Sequence, residues 1–345
     1  MLTVWKPIAV LLNPAQALRK YGVRGLTAKT AEYLFRPIQR VMYKRAAEAE
    51  RRYYDELAGI EGAQHPIPPK ILLYPTCPPP GVYVISKMCA SMGFQVVSAN
   101  SEDVCLAIAW EDATHVDIAP VPGVRTLNAS CRDISKEAVA RAFERVFGYG
   151  FHVDPTTHIG PLVEKSDRNG PHDGRIIHGP AQAVPGRVYQ RIIDNQVEDR
   201  FVMDIRTPVI GNAIPFVYLK YRPLYERFSN NNTRAVRRPT SEVFSTDEVS
   251  NIVAFARAMG LDYGELDILR DRGDSRIYIV DVNKTPVGPP NHLDRFEGRR
   301  AMRELGEALA AQFMVMPHLQ PSRRPMAADE GSTGIAQYRV QHGIS

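Results

Sequence analysis

Three oxygen-bearing side chains late in the chain could bind a metal ion. Asp267 lies in one predicted strand, and Asp281 and Asn283 lie two residues apart in the next. Alternate residues of a strand point to the same face, so Asp281 and Asn283 share a face of the sheet. Carboxylate and amide oxygens suit Mg²⁺ that bridges nucleotide phosphates. A solvent-facing acidic strand edge is the alternative interpretation.

A lysine before a glycine-containing loop could bind phosphate. Lys165 lies at the end of a short predicted strand, and Gly170 and Gly174 follow before an isoleucine-rich strand. Glycines let the backbone approach a ligand closely, and a lysine places a cation on a polyphosphate. A solvated lysine at a strand end fits the same pattern, so this motif alone leaves both interpretations open.

The first elements of the main body predict a small parallel α/β lobe at 67–130. Strands at 70–75, 94–99 and 104–110, with a helix at 81–92, follow the order that favours parallel pairing. The turn after the first strand contains three prolines and no GxGxxG pattern. Prolines lack the N–H groups that bind phosphate, which argues against a Rossmann dinucleotide site.

The following region, 131–318, carries the motifs described above. Ser135 is a predicted N-cap of a helix that begins at Lys136 and ends near Phe147. A hairpin turning at Gly211 and Asn212, a helix at 247–259 and two antiparallel strands follow. The polar loop 227–234 is predicted to be an active-site loop, with a flexible turn as the alternative. A flexible tail is predicted at 319–345.

Taken in order, these motifs resemble the ATP-grasp superfamily of carboxylate ligases. In that family a strand lysine and a glycine-rich loop precede an adenine-binding hinge, an Asp-Ile-Arg strand with a glycine turn, and a metal site ending in acidic-x-Asn. The corresponding residues here are Lys165, Gly170 and Gly174; Gln190, Arg191 and Ile192; Asp204, Arg206 and Gly211; and Asp267, Asp281 and Asn283. The resemblance covers about residues 130–315 and implies an α+β ATP-grasp fold after the parallel α/β lobe, in the α/β class.

The resemblance also implies an activity. ATP would phosphorylate a substrate carboxylate, and an amine, or less readily a thiol, would attack the acyl phosphate, releasing phosphate besides ADP. The substrates would be small molecules or peptides, and the metal would be two Mg²⁺ ions, with Mn²⁺ as an alternative. The implied roles are phosphate binding by Lys136, Lys165, Gly170 and Gly174, adenine binding by Gln190, Arg191 and Ile192, ribose binding by Asp204 or Asp199, metal binding by Asp267, Asp281 and Asn283, and substrate contact by Arg206, Arg222 and Arg234.

The sequence departs from the family pattern at two places. The acidic-x-Asn motif begins with Asp281 where the family usually has Glu, and Glu265 stands where some peptide ligases carry Arg. Two other interpretations stay open. The chain could be an ATP-grasp kinase that phosphorylates a small molecule, or a nucleotide-binding or membrane-docked scaffold without turnover.

Composition further narrows the classes of protein to which this chain could belong. The 345 residues are 44% hydrophobic and 23% charged, which excludes general disorder. No run approaches the roughly 18 apolar residues of a membrane-spanning helix. The four cysteines form no CxxC pair, which argues against a zinc ribbon or a disulfide scaffold and favours a cytoplasmic protein. A homo-oligomer is compatible with these features.

The positive charge is concentrated in an N-terminal arm, 1–66, which we predict to be helical and to end in a proline-rich linker. Residues 1–54 hold eleven Lys or Arg and three Asp or Glu, and the rest of the chain is close to neutral. A chain-wide nucleic-acid surface is therefore not expected. The apolar stripe of the arm favours packing on the body, and its basic face allows peripheral contact with an anionic membrane or an acidic partner.

Truncation distinguishes these two roles of the arm. If residues 1–58 dock on an anionic surface, their deletion leaves the melting temperature nearly unchanged and abolishes liposome binding. That binding should weaken as the Debye length falls from ~10 Å at 0.1 M salt to ~3 Å at 1 M. If the arm completes the core, deletion gives an aggregated or strongly destabilised protein. Liposome co-sedimentation and thermal melting are the measurements, and absence of liposome binding at low salt would contradict membrane contact.

Overall fold

A computed structural model describes residues 68–77, 81–229 and 231–314. The N-terminal arm and the C-terminal tail, 319–345, lie outside the described residues, as does the membrane or partner contact predicted for 1–58. In the part that is described, none of the helices is both long and apolar enough to cross a membrane.

The first lobe is a parallel sheet, as predicted. Four strands pair in the order β2-β1-β3-β4, and all three pairings are parallel. In chain order the elements are β1 (Lys70–Pro75), α1 (Val84–Met92), β2 (Gln95–Val97), β3 (Val104–Trp110) and β4 (Thr126–Leu127). The second strand is shorter than the predicted range 94–99.

A helix and a small antiparallel sheet follow. The helix α2 (Lys136–Phe147) begins after Ser135, whose side chain accepts a hydrogen bond from the backbone N–H of Ala138, as predicted for an N-cap. Three strands then pair in the order β6-β5-β7. They are β5 (Gly160–Ser166), β6 (Arg175–Gly179) and β7 (Arg187–Arg191).

A six-stranded antiparallel sheet completes the fold. Its main path is β11-β10-β9-β12-β13, and β8 pairs with β9. The strands are β8 (Gln196–Val197), β9 (Phe201–Ile210), β10 (Val217–Pro223), β11 (Arg234–Arg238), β12 (Tyr263–Arg270) and β13 (Ile277–Asn283). The helices are α3 (Thr240–Val243), α4 (Thr246–Ala258) and α5 (Arg295–Phe313). The predicted turn at Gly211 and Asn212 is present, and the returning strand begins at Val217 rather than at residue 214.

The two faces of this large sheet differ in chemistry. On one face, Ile205, Ile268 and Ile279 are aligned across neighbouring strands and pack in a buried core that includes Phe143 of α2 and Phe255 of α4. On the other face, β9, β10, β12 and β13 present charged side chains. These are Asp204, Arg206, Lys220, Arg222, Glu265, Asp267 and Asp281. Burial of the apolar face therefore directs the charged face toward the rest of the domain, and the predicted α/β fold class is confirmed.

The start of α4 gives a test of local stability. The Ser245 hydroxyl accepts a hydrogen bond from the Glu248 N–H at 3.2 Å, and the Glu248 carboxylate accepts one from the Ser245 N–H at 2.9 Å. Ser245→Ala should lower the free energy of unfolding by about 1 kcal/mol, because the helix loses its N-terminal cap. Urea denaturation measures this change.

The matched control is Ser250→Ala in the same helix. The Ser250 hydroxyl bonds only to the carbonyl of Thr246, one turn earlier. Since Ala has a higher helix propensity than Ser, this variant should be as stable as the parent chain or slightly more stable. Equal losses in the two variants would show that the cap does not stabilise the helix.

Candidate active site

One cleft brings together most of the predicted site residues. It lies between the three-stranded sheet and the charged face of the large sheet, with the start of α2 at its edge. The predicted residues that line it are Lys136, Lys165, Gly170, Gly174, Gln190, Arg191, Asp204, Asp267 and Asp281. Residues separated by up to 145 positions in the sequence thus share a single concave surface.

Two carboxylates lie opposite each other on the floor of the cleft. Asp267 on β12 pairs directly with Asp281 on β13 in the antiparallel ladder, so their side chains project from the same face about 5 Å apart at Cβ. The register shifts immediately after this pair, at a β-bulge. On β13 the bulge lets Ile279, two residues from Asp281, pair with Ile268 on the apolar face, while both carboxylates face the cleft.

Each carboxylate has its own cation. Lys136 Nζ donates to Asp281 Oδ1 at 2.6 Å. Arg206 donates from Nε and Nη2 to the two oxygens of Asp267, at 2.9 and 3.0 Å. Burial alone would raise the pKa of Asp267, but the charges of Arg206 and Lys220 outweigh it and hold that pKa well below its ordinary value. Asp267 is therefore ionised at any physiological pH.

The donor set fits a magnesium ion shared with a nucleotide. Within the described residues, no cluster of three or more His, Cys, Asp or Glu side chains could by itself hold a metal. Mg²⁺ is commonly bound by one or two carboxylates, with phosphates and water completing its coordination. Asn283 follows on the same face of β13, opposite Glu265, and its amide oxygen accepts a hydrogen bond from the Thr285 N–H. Asn283 does not line the cleft.

Two lysines face these carboxylates from the other side. Lys136 also donates to the side chain of Asn169 at 3.1 Å. Lys165 has one long contact, 3.5 Å from Nζ to the carbonyl oxygen of Val280 beside the bulge. Burial, together with the positive charge of Lys136, lowers the pKa of Lys165 to about 8. An anion in the cleft would raise the pKa of Lys165 again, because it would give the Lys165 ammonium an ion-pair partner.

The glycine loop closes over this end of the cleft. Gly170 has φ of +90°, in the region that favours glycine. At Gly174, an added Cβ would lie 2.7 Å from Cδ1 of Phe228, so only glycine lets the loop approach this ring. Phe228 and Arg227 belong to the loop predicted to reach the site, and both line the cleft.

The predicted hinge and ribose residues lie along the opposite wall. Gln190 is buried, with Nε2 3.1 Å from Nε2 of His152, and Arg191 donates to Asp271 and Asp274. Ile192 does not line the cleft, whereas Ile193 does. Asp204 accepts hydrogen bonds from Asn195 and Arg222. Asp199, the alternative ribose ligand, is also absent from the cleft lining.

The structure does not bring the three predicted substrate arginines to one place. Arg206, which is partly buried, and Arg222, which is buried, lie on the charged face and form ion pairs with Asp267 and Asp204. Arg234 pairs with Tyr221 across the β10–β11 ladder, and Tyr221 lies on the opposite face from Lys220 and Arg222. The Arg234 side chain is about half exposed and pairs with Glu198 at 3.1 Å.

The sequence assigned no site role to two further charged residues of this face, although Glu265 was noted as a departure from the family pattern. Lys220 is buried on β10 directly opposite Asp204. Burial and the charge of Arg206 lower its pKa. Glu265 is only 2% exposed, and burial, opposed by the charge of Arg206, raises its pKa to about 7. The period of two that relates Lys220 to Arg222 and Glu265 to Asp267 could have identified both residues as members of this face.

Comparison with known proteins finds weak structural similarity to several solved structures. No protein-family model and no curated protein matches the chain. Similar solved structures include the ATP-grasp ligase PsnB with minimal precursor, Mg and ADP (18% identity, TM-score 0.39, covering 56% of this chain and 64% of that one). A RimK domain ATP-grasp protein from Sphaerobacter thermophilus DSM 20745 has 12% identity and a TM-score of 0.43, covering 71% of this chain and 100% of that one. D-alanine–D-alanine ligase from Bacillus anthracis with ATP has 12% identity and a TM-score of 0.45, covering 72% and 98%.

The matched part spans about 64% of the length of PsnB. Because the TM-scores are below 0.5, the functional argument below rests on the cleft and not on these likenesses. Two of these three structures are named as ATP-grasp proteins and the third as a D-alanine–D-alanine ligase. The described part of the chain has an α+β arrangement preceded by a parallel α/β lobe.

Proposed function

We propose that this protein is an ATP-dependent ligase that activates a carboxylate as an acyl phosphate and joins it to an amine. The observation that carries this proposal is the cleft in which Lys136 and Lys165 face Asp267 and Asp281 beside a glycine loop. Lysines bind phosphates, and paired carboxylates bind the Mg²⁺ that accompanies them. A single cleft with both sets suits transfer of the γ-phosphoryl group of ATP.

The nucleotide would lie along the cleft from the hinge to the carboxylates. Gln190 and Arg191 of the hinge, with Ile193 in place of Ile192, would frame adenine, and Asp204 would bind ribose. Lys165 and Lys136, with the backbone at Gly170 and Gly174, would bind the phosphates. Lys165 supports this assignment because its ammonium is largely buried with one long contact. A buried cation of this kind gains most from an anionic ligand.

Asp267 and Asp281 would hold Mg²⁺, with Asn283 as the next oxygen ligand along β13. The resemblance suggests two ions, and Mn²⁺ could replace them. When bound, the metal would neutralise charge that develops on the transferring phosphoryl group. The protein's contribution would be to hold both carboxylates on one rigid sheet face, where Arg206 donates to Asp267 and Lys136 donates to Asp281.

The substrate carboxylate would approach from the cationic part of the same face. Its oxygen would attack the γ-phosphorus as ADP leaves, and the amine would then attack the acyl carbon as phosphate leaves. Lys220, Arg222 and Arg227 could stabilise the anionic groups. No side chain is needed as a covalent nucleophile. Arg234 is left out of this proposal because it lies on the opposite face.

Several predictions from the sequence concern the whole protein and remain predictions. These are the domain limits at 67–130 and 131–318, the cytoplasmic location, the homo-oligomer and the contact made by residues 1–58. A screen of carboxylates and amines for ADP release identifies the two substrates.

Trapping with hydroxylamine tests the reaction type. The full-length protein, ATP, Mg²⁺ and a panel of amino acids and peptides should give a hydroxamate together with ADP, because hydroxylamine intercepts an acyl phosphate. A phosphorylated product without hydroxamate would indicate a kinase instead. Absence of ADP formation with every substrate tested would favour the scaffold interpretation.

Asp281→Ala tests the metal site within this reaction. Loss of a carboxylate that holds the metal should reduce ADP formation at least about 100-fold while the fold is retained, since metal-ligand loss removes several kcal/mol of transition-state stabilisation. Asn283→Ala should act in the same direction. The control is Asp117→Ala, an exposed aspartate that pairs with exposed Arg132 at 3.4 Å. A folded Asp281→Ala variant with near-normal ADP formation would contradict the assignment.

Lys165 gives a test of nucleotide binding with a defined pH dependence. Its pKa of about 8 in the free protein should rise when phosphate binds, so binding at pH 8.5 should take up a proton. Affinity for a non-hydrolysable ATP analogue should therefore fall as pH rises through 8. Calorimetry in two buffers of different ionisation enthalpy measures the uptake.

Two substitutions separate the charge of Lys165 from its titration. Lys165→Ala should weaken analogue binding about tenfold or more, because a charge-assisted contact is lost. Lys165→Arg keeps the charge and should bind without proton uptake, since guanidinium stays protonated. An unchanged affinity in Lys165→Ala would remove this residue from the nucleotide site.

A further inference from the structure

One arginine on the charged face is shared by two carboxylates. Arg206 uses Nε and Nη2 for the two hydrogen bonds to Asp267. Its remaining terminal nitrogen, Nη1, lies 3.3 Å from Oε2 of Glu265. Glu265 and Asp267 are two residues apart on β12 and share its face. The guanidinium therefore lies between the carboxylate proposed for the metal and a second carboxylate that has no assigned role.

The second carboxylate is unsatisfied in this arrangement. Neither Oε1 nor Oε2 of Glu265 has a hydrogen-bond partner among the residues that the structure describes. The 3.3 Å approach of Arg206 gives an ion pair without the alignment of a hydrogen bond. A buried carboxylate without hydrogen bonds is costly, so its presence here calls for a structural or functional explanation.

A metal ion at Asp267 would create the need for such a state. Arg206 already occupies both oxygens of Asp267, and a divalent cation that binds these oxygens would be repelled by the guanidinium. Lys220 and Arg222 already add positive charge to this face, and Asp204 is taken by Arg222. The oxygens of Glu265 lie within reach of Arg206 and accept no hydrogen bond from another described residue.

We propose that Glu265 is an alternative ion-pair partner for Arg206. Its carboxylate receives the guanidinium when a divalent cation binds Asp267. Without metal, Arg206 neutralises Asp267 and keeps it in place. With metal, Nη1 and Nη2 turn to the oxygens of Glu265, and Asp267 becomes free to act as a ligand. Glu265 is thus a positioning residue that acts through Arg206. This inference rests on the proposed function, because it assumes that Asp267 binds the metal.

A direct metal ligand is the competing role for Glu265. Its carboxylate is two residues from Asp267, yet the described part of the chain contains no group of three acidic, His or Cys side chains placed to hold one ion. The approach of Arg206 to Glu265 also favours a partner that is a guanidinium. The two roles differ in one respect: an alternative partner for Arg206 affects metal binding only when Arg206 is present.

A double-mutant cycle in the full-length protein uses this difference. Mn²⁺ alone is titrated into metal-depleted protein, and free Mn²⁺ is measured by electron paramagnetic resonance. Glu265→Gln should weaken Mn²⁺ binding about tenfold, since Arg206 then stays on Asp267. Arg206→Met should bind Mn²⁺ at least as tightly as the parent chain. Adding Glu265→Gln to Arg206→Met should change affinity less than twofold.

Each result decides between the roles. An unchanged affinity in Glu265→Gln, or a tenfold loss that persists in the double variant, would overturn the proposal, the latter in favour of a direct ligand. If Arg206→Met does not fold, the Nε–Hε resonance of Arg206 in the parent chain decides instead. Addition of Mg²⁺ should shift it as the guanidinium leaves Asp267, and an unshifted resonance at saturating Mg²⁺ would contradict the exchange.

Glu248→Gln is the matched control. Glu248 accepts hydrogen bonds from two directions, from Nη1 and Nη2 of Arg270 at 2.8 and 3.0 Å, in a pair away from the cleft. This variant should lower the melting temperature without altering Mn²⁺ affinity, whereas Glu265→Gln should do the reverse. Hydroxamate formation is scored separately. If the double-mutant cycle gives the expected Mn²⁺ affinities but no hydroxamate forms, the ligase proposal is rejected and the exchange of Arg206 is retained. If hydroxamate forms but the effects of the two substitutions on Mn²⁺ affinity are additive, the exchange is rejected and the ligase proposal is retained.

Discussion

The pairing of buried charge on one face of the large sheet is the interaction on which the site depends. Asp267 and Asp281 lie in a partly closed cleft, where the charges of Arg206 and Lys136 compensate them. These four residues come from β9, β12, β13 and the start of α2. Any change in the register of the sheet would therefore separate a charge from its partner and also remove an element of the candidate site.

The apolar face of the same sheet stabilises this arrangement of charges. Ile205, Ile268 and Ile279 are fully buried against α2 and α4. A shift of one residue would exchange the charged and apolar faces of a strand, so packing of this core enforces the register that the charged face requires. Capping at Ser135 and Ser245 defines where the two supporting helices begin. The core thus contributes to function by restricting the geometry of the site rather than by touching a ligand.

The cations of the cleft are not equivalent, and their partners indicate different uses. Lys136, Arg206 and Arg222 each have a close carboxylate, whereas the contact that Lys165 makes among the described residues is a long one to a carbonyl. A cation with a partner holds an acidic residue in place, and a buried cation without one favours an incoming anion. This distinction separates the residues that maintain the site from the residue best suited to bind phosphate.

Much of the fold and of the site could be predicted from the sequence, because local rules act over short distances. Alternation along β12 and β13, the serine caps and the Gly211 turn predicted the strands, helices and hairpin, and the order of motifs indicated the ATP-grasp resemblance. Partner choice across strands was not readable. Tertiary structure alone showed that Arg206 belongs to Asp267 and Glu265, and that Arg234 lies on the far face. The physical reason is register: which side chains meet across a sheet depends on long-range pairing and a bulge, which no local pattern specifies.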